Sequence, residues 1–543
     1  MKHVEIPFKH ERSYRYRLFE ILPGAISWSI LAMPFILSLY APLLAVVVIL
    51  AYILLWFVKS VVLNLRAIQG FRTMEQHKKL PWRQMMQELA DKKVSQPDKH
   101  IPTWHYENVA RLQEHDSAVD PHSAMHTIII AAYNESREVL EPTIQSVIAS
   151  DFDMKRVMLV LAYEERGGEK IEKTARQLMK EYGKHFKFAA AYKHPKDMPG
   201  EVVGKGGNIT YAAKQFVDEY ITPKGVDPRQ VIVTTLDSDN RPHQQYLAAL
   251  TYVYAVAPNP MRVSFQPIPV FTNNIWDVPA PMRVIATGNT FWNVVLSLRP
   301  HMIRNFASHA QPLQSLMETN FWSVRTIVED GHQFWRSYFA FDGDYDVYPI
   351  YLPIGQDAVL SSSYIKTLKA QFSQLRRWAY GASDIAYVAE MGLFRKNSIP
   401  KFDLLAKFGR LLEGHISWAT APFLIAFGAS IPRLLDAGAG VLYQEVAVIR
   451  LPLITERIVQ IALLGIIVTL YLSMRLLPPR PARYMKHRSI FMVFQWVLLP
   501  ITTICYNGLS GLYSQTRLMF GLYLDKFDVT DKAVITKDNK RIM

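Results

Sequence analysis

Asp237 and Asp239 bracket a serine at the end of VIVTTLDSDN, residues 231–240. The apolar and β-branched positions that lead into them predict a strand, so the two carboxylates stand where it ends. On extended chain, residues two apart share a face only until the backbone turns; beyond the strand end both carboxylates can reach one cation. One or two carboxylates completed by phosphate oxygens of a substrate is how Mg²⁺ or Mn²⁺ is commonly held. The pair therefore predicts a divalent cation carrying a diphosphate, with a plain turn as the alternative, since Asp-Ser-Asp-Asn-Arg-Pro is rich in turn formers.

A second constellation lies in AQFSQLRRWAYG, residues 370–381. If helical, it places Gln374, Arg377 and Trp378 at i, i+3 and i+4, on one face. A guanidinium pairs with phosphate oxygens, and an indole offers a flat apolar plate that suits the C–H face of a sugar. The alternative is a membrane-surface helix with arginines on headgroups. VVGKGGN, residues 202–208, fails the Walker pattern, because Gly200 stands one residue too close and no Ser or Thr follows Lys205. A glycine-rich turn carrying Lys205 remains compatible with nucleotide contact. The single cysteine, Cys505, excludes an intramolecular disulfide and a cysteine zinc cluster, and the 16 histidines show no metal-ligand spacing.

The elements that must position these groups are legible between residues 100 and 390. TIIIAAYNE, RVMLVLAYEER, FKFAAAY and QVIVTTLDSDN read as buried strands, with amphipathic helical patterns such as EKIEKTARQLMKEYG between them. Alternating strands and helices predict a parallel sheet with right-handed crossovers, and such sheets bind ligands at the carboxyl ends of their strands. Asn134 with Glu135, Glu164 with Glu165, and Asp237 with Asp239 end three of those strands. The acids converge on one rim.

On either side the composition changes. Ile21 to Val58 is 38 residues without a charge, roughly 57 Å of helix at ~1.5 Å per residue, too long for one pass of a ~30 Å hydrocarbon core. Tyr40-Ala41-Pro42 supplies the bend between two passes. Further uncharged stretches lie at 415–432, 458–474 and 489–516. Short basic loops, RLLPPRPARYMKHR among them, mark the cytoplasmic side and explain the net charge of +14 through anionic membrane lipids. No basic–aromatic recognition motif points to nucleic acid. The chain thus divides into four regions: 1–66 with two transmembrane helices, a cytosolic domain over 100–390, interfacial and transmembrane helices over 391–524, and a cytosolic tail over 525–543. Five passes would leave that tail outside. Either 489–516 re-enters and returns at Pro500, or one segment does not span.

These pieces together resemble membrane-embedded family 2 glycosyltransferases, the group of cellulose, chitin and hyaluronan synthases. AAYNE is similar to the family's first strand motif, YEE to its second acidic motif (usually Asp-Asp), and DSD to its D-x-D. VED, ending at Asp330, resembles the T-E-D motif 91 residues after Asp239, and QLRRW resembles Q-x-x-R-W 44 residues after Asp330. FDVTDK, with Phe527, Val529, Thr530 and Lys532, is similar to the F-x-V-T-x-K gating loop of cellulose synthases.

The resemblance implies an α/β GT-A-type (Rossmann-like) cytosolic glycosyltransferase domain inserted between α-helical transmembrane segments. It implies an inverting hexosyltransferase in the plasma membrane that uses a nucleotide sugar, a UDP-sugar above all, with Mg²⁺ or Mn²⁺. Glu135, Glu165, Lys205, Asp237 and Arg377 would hold the nucleotide sugar, and Asp239 with Asp237 the metal. Gln374 and Trp378 would hold the acceptor, with Asp330 as base; Asp357 suits the family spacing less well. A processive polysaccharide synthase that passes a growing glycan through its own helices is the leading expectation. A single transfer to a membrane lipid is the alternative, because NFASHAQPLQS lacks the cysteine-containing acceptor motif of processive synthases. A partner subunit, the sugar and the linkage stay open.

Overall fold

A computed structural model describes residues 4–95, 98–114, 119–439, 446–526, 532–535 and 541–542. Eight strands form one sheet: β1 (Met125–Ala132), β2 (Val157–Glu164), β3 (Phe188–His194), β4 (Val231–Asp237), β5 (Arg241–Pro242), β6 (Val263–Val270), β7 (Ala310–Pro312) and β8 (Asp346–Gly355). Their order is β3-β2-β1-β4-β7-β6-β8-β5. β3, β2, β1 and β4 are parallel, as the alternating pattern predicts. Helices cover both faces of that half, so every position of β2 is buried and the strand reads as one apolar run.

The other half departs from the expected all-parallel sheet. β7 runs antiparallel to both β4 and β6, while β6 and β8 pair in parallel with a register shift at Pro267/Ile268. β7 is three residues long and too short to carry a periodic signal. The register sets Ala131 opposite both Ala162 and Asp237, so β1, β2 and β4 end nearly flush. Glu135, Glu164 and Asp237 thereby reach the same rim.

Among the described residues, five helices are long and apolar enough to cross a membrane: Tyr14–Tyr40, Pro42–His77, Lys401–Leu435, Ala447–Leu476 and Arg488–Met519. The first two separate at Ala41, with Pro42 at the first helical position, where a missing N–H costs nothing. Val47, Leu65, Ile467 and Val497 are among the large apolar side chains left exposed along them.

The fifth helix does not reverse at Pro500. It runs on through a wide turn at Thr503–Gly508, with Gly511 against the backbone of Ala419. Both of its ends rest on the α/β domain. Arg488 donates to the Trp276 carbonyl (2.6 Å) and Gln495 accepts from Arg283 (2.5 Å), while Ser514 donates to the Arg376 carbonyl (2.7 Å). The chain beyond Met519 therefore emerges on the side where the domain sits.

The domain also recruits chain from outside 100–390. Leu80, Trp82, Met85 and Leu89 belong to the core cluster under the sheet. Near the N-terminus, Glu5 pairs with the buried Arg336 (2.6 Å) and the Val4 carbonyl accepts from Tyr387 (2.7 Å).

Candidate active site

A cavity of about 840 Å³ opens where β1, β2 and β4 end and continues along the apolar helix Lys401–Phe427 as far as Trp418. Asp237, Asp239, Lys205, Asp330, Gln374, Arg377 and Trp378 all line it. Residues far apart in sequence are brought to one wall by the sheet's flush ends and by two helices, Glu329–Ala340 and Tyr364–Ala379.

Lys205 starts the helix Lys205–Phe216, and its ammonium is the hub of the site. It lies 2.9 Å from Asp237, 3.2 Å from Asp330 and 3.7 Å from Glu329. Burial would lower its pKa, but these three carboxylates raise it well above the usual lysine range, so the charge is fixed. Gly206 follows because a Cβ there would overlap the Ser323 carbonyl oxygen.

Glu329 and Asp330 are neighbours with different fates. Burial, and then the charge of Asp330, raise Glu329 to about 8 in spite of Lys205. The Asp330 side chain keeps 22% of its surface exposed and Glu329 only 3%, so Asp330 is the carboxylate the cavity can reach. Beneath it lies His309, whose Nδ1 is 2.9 Å from the Phe306 carbonyl and 3.6 Å from Asp330. Its Nε2 faces the Trp322 indole N–H at 3.0 Å and must accept from it. The proton therefore sits on Nδ1, and burial lowers the pKa and keeps the ring neutral.

At the other carboxylate of the D-x-D, Asp239 is 6% exposed and takes two donors. Its Oδ1 accepts from Lys532 (2.6 Å) and its Oδ2 from the Asp357 amide (2.8 Å). Lys532 comes from the tail, which is pinned by a bridge from Lys526 to Val203 and another from Lys532 to Leu360. Phe527, Val529 and Thr530 lie outside the described residues. Burial and the charge of Asp239 push the Asp357 carboxyl up to about 7.

The helix Tyr364–Ala379 presents Gln374, Arg377 and Trp378 to the cavity together, at the spacing of one face. The Trp378 ring leans on Phe271, with centroids 6.2 Å apart. Trp292, Trp335 and Trp418 extend the aromatic wall as far as the apolar helix Lys401–Phe427.

No family model matches the chain, and no curated protein does. Among solved structures, the mannosyltransferase PcManGT from Pyrobaculum calidifontis in complex with GDP-Man and Mn²⁺ is similar at 14% identity and a TM-score of 0.39. That match covers 82% of this chain and 99% of the other. TarS residues 1–349 of S. aureus, in complex with UDP-GlcNAc, is similar at 10% identity and a TM-score of 0.35, over 76% of this chain and 95% of the other. Likeness this distant decides neither family nor substrate, and the chemistry has to be read from the residues themselves.

Glu135 and Glu165 fare differently. Glu135 lines the cavity, accepting from the Tyr133 amide (2.6 Å) and from Ser238 Oγ (3.1 Å). Glu165, expected to hold the nucleotide, is exposed and accepts from the Lys196 amide at 2.9 Å instead. β2 ends at Glu164, and the chain turns there under Gly167, where a Cβ would overlap the Tyr133 carbonyl oxygen. Successive side chains diverge at that turn, so Glu164 takes the cavity wall. Glu164 is itself held by His194 Nδ1 (3.2 Å) and Arg166 (3.2 Å), while His194 Nε2 lies 3.0 Å from Glu201.

Among the described residues, no group of three or more His, Cys, Asp or Glu could hold a metal ion unaided. The oxygens nevertheless suit a cation completed by substrate phosphates. Asp239 and Asp357 crowd each other, and Asp357 Oδ1 is buried with no hydrogen-bond partner. Lys532 now supplies the positive charge that this pair calls for. The strand pattern put Glu164 on the rim but gave it no role, and it pointed to neither His309 nor Glu329. His309 follows from where β7 begins, and Glu329 from its burial.

Proposed function

We propose that this chain is an integral membrane glycosyltransferase that moves a sugar from a nucleoside-diphosphate sugar to an acceptor hydroxyl with inversion. The observation that carries the reading is the convergence of Lys205, Asp237, Asp239, Arg377, Trp378 and Asp330 on one cavity at the rim of a parallel sheet. Five apolar helices beside the domain support the membrane setting, with the domain on the cytoplasmic side of basic loops.

In this reading Glu135 and Glu164 face the nucleoside, and Asp237 and Asp239 the diphosphate. Asp239 and Asp357 would hold Mg²⁺ or Mn²⁺, which when bound supplies positive charge to a leaving diphosphate. Arg377 and Lys205 both act on Asp237 and so bring fixed positive charge to the same place. Trp378 and Gln374 orient the acceptor sugar or headgroup. Asp330 takes the proton of the acceptor hydroxyl as that oxygen bonds to the anomeric carbon and the nucleoside diphosphate leaves with the electron pair. One displacement inverts the centre, so an α-linked donor gives a β-linkage. His309, with its proton turned to the Phe306 carbonyl, positions Asp330 without competing for that proton. Asp357 lies against Asp239, where it would share the cation, and this favours Asp330 as base.

Two acceptor readings have an observation each. Trp292, Trp335, Trp378 and Trp418 would suit a growing glycan, as in a processive synthase. Against a channel through the bundle, the described lining reaches no further along Lys401–Phe427 than Trp418 and takes nothing from the other membrane helices, which favours an acceptor met at the bilayer surface. The test is release of nucleoside diphosphate by the purified protein in nanodiscs with Mn²⁺ or Mg²⁺, across a panel of nucleotide sugars. Release from one donor, with a product sized afterwards, is expected. A folded protein that binds and turns over none of the panel would overturn the reading.

A further inference from the structure

The membrane end of the cavity is as basic as its other end is acidic. Arg304 and Arg410 line it there, beside Met302, Leu296 and Trp335. The Arg304 guanidinium stacks over Phe334 and Trp335, 4.1 and 5.0 Å from the ring centroids, and Nη1 donates to the Ile303 carbonyl at 2.8 Å. Two aromatic faces hold the group without neutralising it. Arg410, on the helix Lys401–Phe427, reaches the His301 carbonyl at 3.4 Å and is otherwise exposed. The Arg299 guanidinium donates to the Met302 sulfur (3.6 Å).

Among the described residues, neither these three arginines nor Arg66 has a carboxylate within 4.0 Å. Of the two acids whose charge acts on Arg304, Asp403 accepts from Tyr338 (2.7 Å) and pairs with Lys407, and Asp346 stands farther off than an ion pair; Glu413 pairs with Lys59 at 2.7 Å. The cations feel one another. Burial and then Arg410 lower Arg304 to about 10, and burial followed by Arg410, Arg299, Arg66 and Arg304 lowers His301.

Position completes the argument. Lys59 and Glu413 tie the second and third membrane helices together at the edge of their apolar stretches, and Arg410 lies about one turn of helix from Glu413, towards the α/β domain. That is headgroup depth. Trp335, which carries Arg304, follows Asp330 by five residues on one helix, roughly 7.5 Å along the axis at ~1.5 Å per residue. An anion at the arginines thus sits about one headgroup away from the proposed base. Bare arginines at such a depth would also attract any anionic bilayer. Opening into the same cavity as the base is what sets Arg304 and Arg410 apart from the basic loops.

We propose that Arg304 and Arg410, backed by Arg66 and Arg299, hold the phosphate of a lipid acceptor whose hydroxyl reaches Asp330. The inference rests on the transferase reading and names its acceptor class. The phosphate stays intact; the hydroxyl oxygen bonds to the anomeric carbon, its proton goes to Asp330, and the nucleoside diphosphate departs.

The test uses the full chain in phosphatidylcholine nanodiscs doped with phosphatidylglycerol (phosphate and hydroxyl), phosphatidic acid (phosphate without a free headgroup hydroxyl), diacylglycerol (hydroxyl without phosphate) or an anionic sulfolipid. Phosphatidylglycerol and phosphatidic acid are expected to raise the melting temperature saturably, and phosphatidylglycerol alone to stimulate nucleotide release. Arg410→Gln, at an exposed position where little packing is lost, should weaken that lipid response about tenfold or more, the scale of one charged hydrogen bond. Arg410→Lys should restore part of it. The affinity for donor sugar should stay within about twofold in both. An equal response to the sulfolipid, or an unchanged response in Arg410→Gln, would mean general attraction to the bilayer and overturn the site. Equal stimulation of release by diacylglycerol, or none by phosphatidylglycerol while the wild type binds and slowly hydrolyses a donor, would overturn the acceptor assignment. Failure to bind any donor with the lipid response intact would instead sink the transferase reading.

Discussion

Two lysines decide the charge state of the site. Lys205 makes three neighbouring carboxylates tolerable, and Lys532 does the same for Asp239 beside Asp357. His194 has a similar role farther from the cavity, between Glu164 and Glu201. Burial alone would lower its pKa, but the two carboxylates raise it from 6.5 to about 9. A group whose folded pKa is raised stabilises the fold fully below its unfolded value and loses that contribution as the pH climbs through the folded one. The melting temperature is therefore expected to fall between pH 6.5 and 9, and the fall to be smaller in His194→Gln. Thermal melts at pH 6, 7.5 and 9 check this; parallel wild-type and variant curves would contradict it. Because Glu164 lines the cavity, donor affinity should weaken over the same range.

At the scale of elements, legibility followed periodicity. β1 to β4 were readable as apolar runs with polar ends, and the rim they form was readable with them. The face of Tyr364–Ala379 was readable because Gln374, Arg377 and Trp378 repeat at helical spacing. β7 carried no period, so His309 and the antiparallel half of the sheet were hidden. At the end of β2 stand two adjacent glutamates, and only the turn beneath Gly167 separates the one in the wall from the one in solvent. Composition counted five apolar segments but did not say on which side the last of them ends. The contacts of Arg488–Met519 with Trp276 at one end and Arg376 at the other do. A C-terminal tag and a tag inserted at Gly225 are therefore expected on the same side of the membrane, protected together in intact cells and cleaved together in inverted vesicles. A C-terminal tag cut from outside intact cells would contradict the placement of this helix.

Across the whole molecule, one cavity joins three environments: a sheet rim dense in carboxylates, an aromatic middle, and an arginine-rich end beside the apolar helix Lys401–Phe427. The tail closes the arrangement by bringing Lys532 back to Asp239 after the last apolar helix. Such a layout suits a polar activated donor from one side and a membrane-bound acceptor from the other, with Asp330 between them. The most direct test of that division of labour is to measure donor affinity and nucleotide release side by side for the wild type and Asp330→Asn. A lost general base commonly costs 10²–10⁴ in rate, so release should fall by at least ~100-fold. Donor affinity should change by no more than about threefold, because Lys205 keeps Asp237 and Glu329 as partners. Release at the wild-type rate, or loss of donor binding in place of turnover, would contradict Asp330 as the base and with it the account of the cavity.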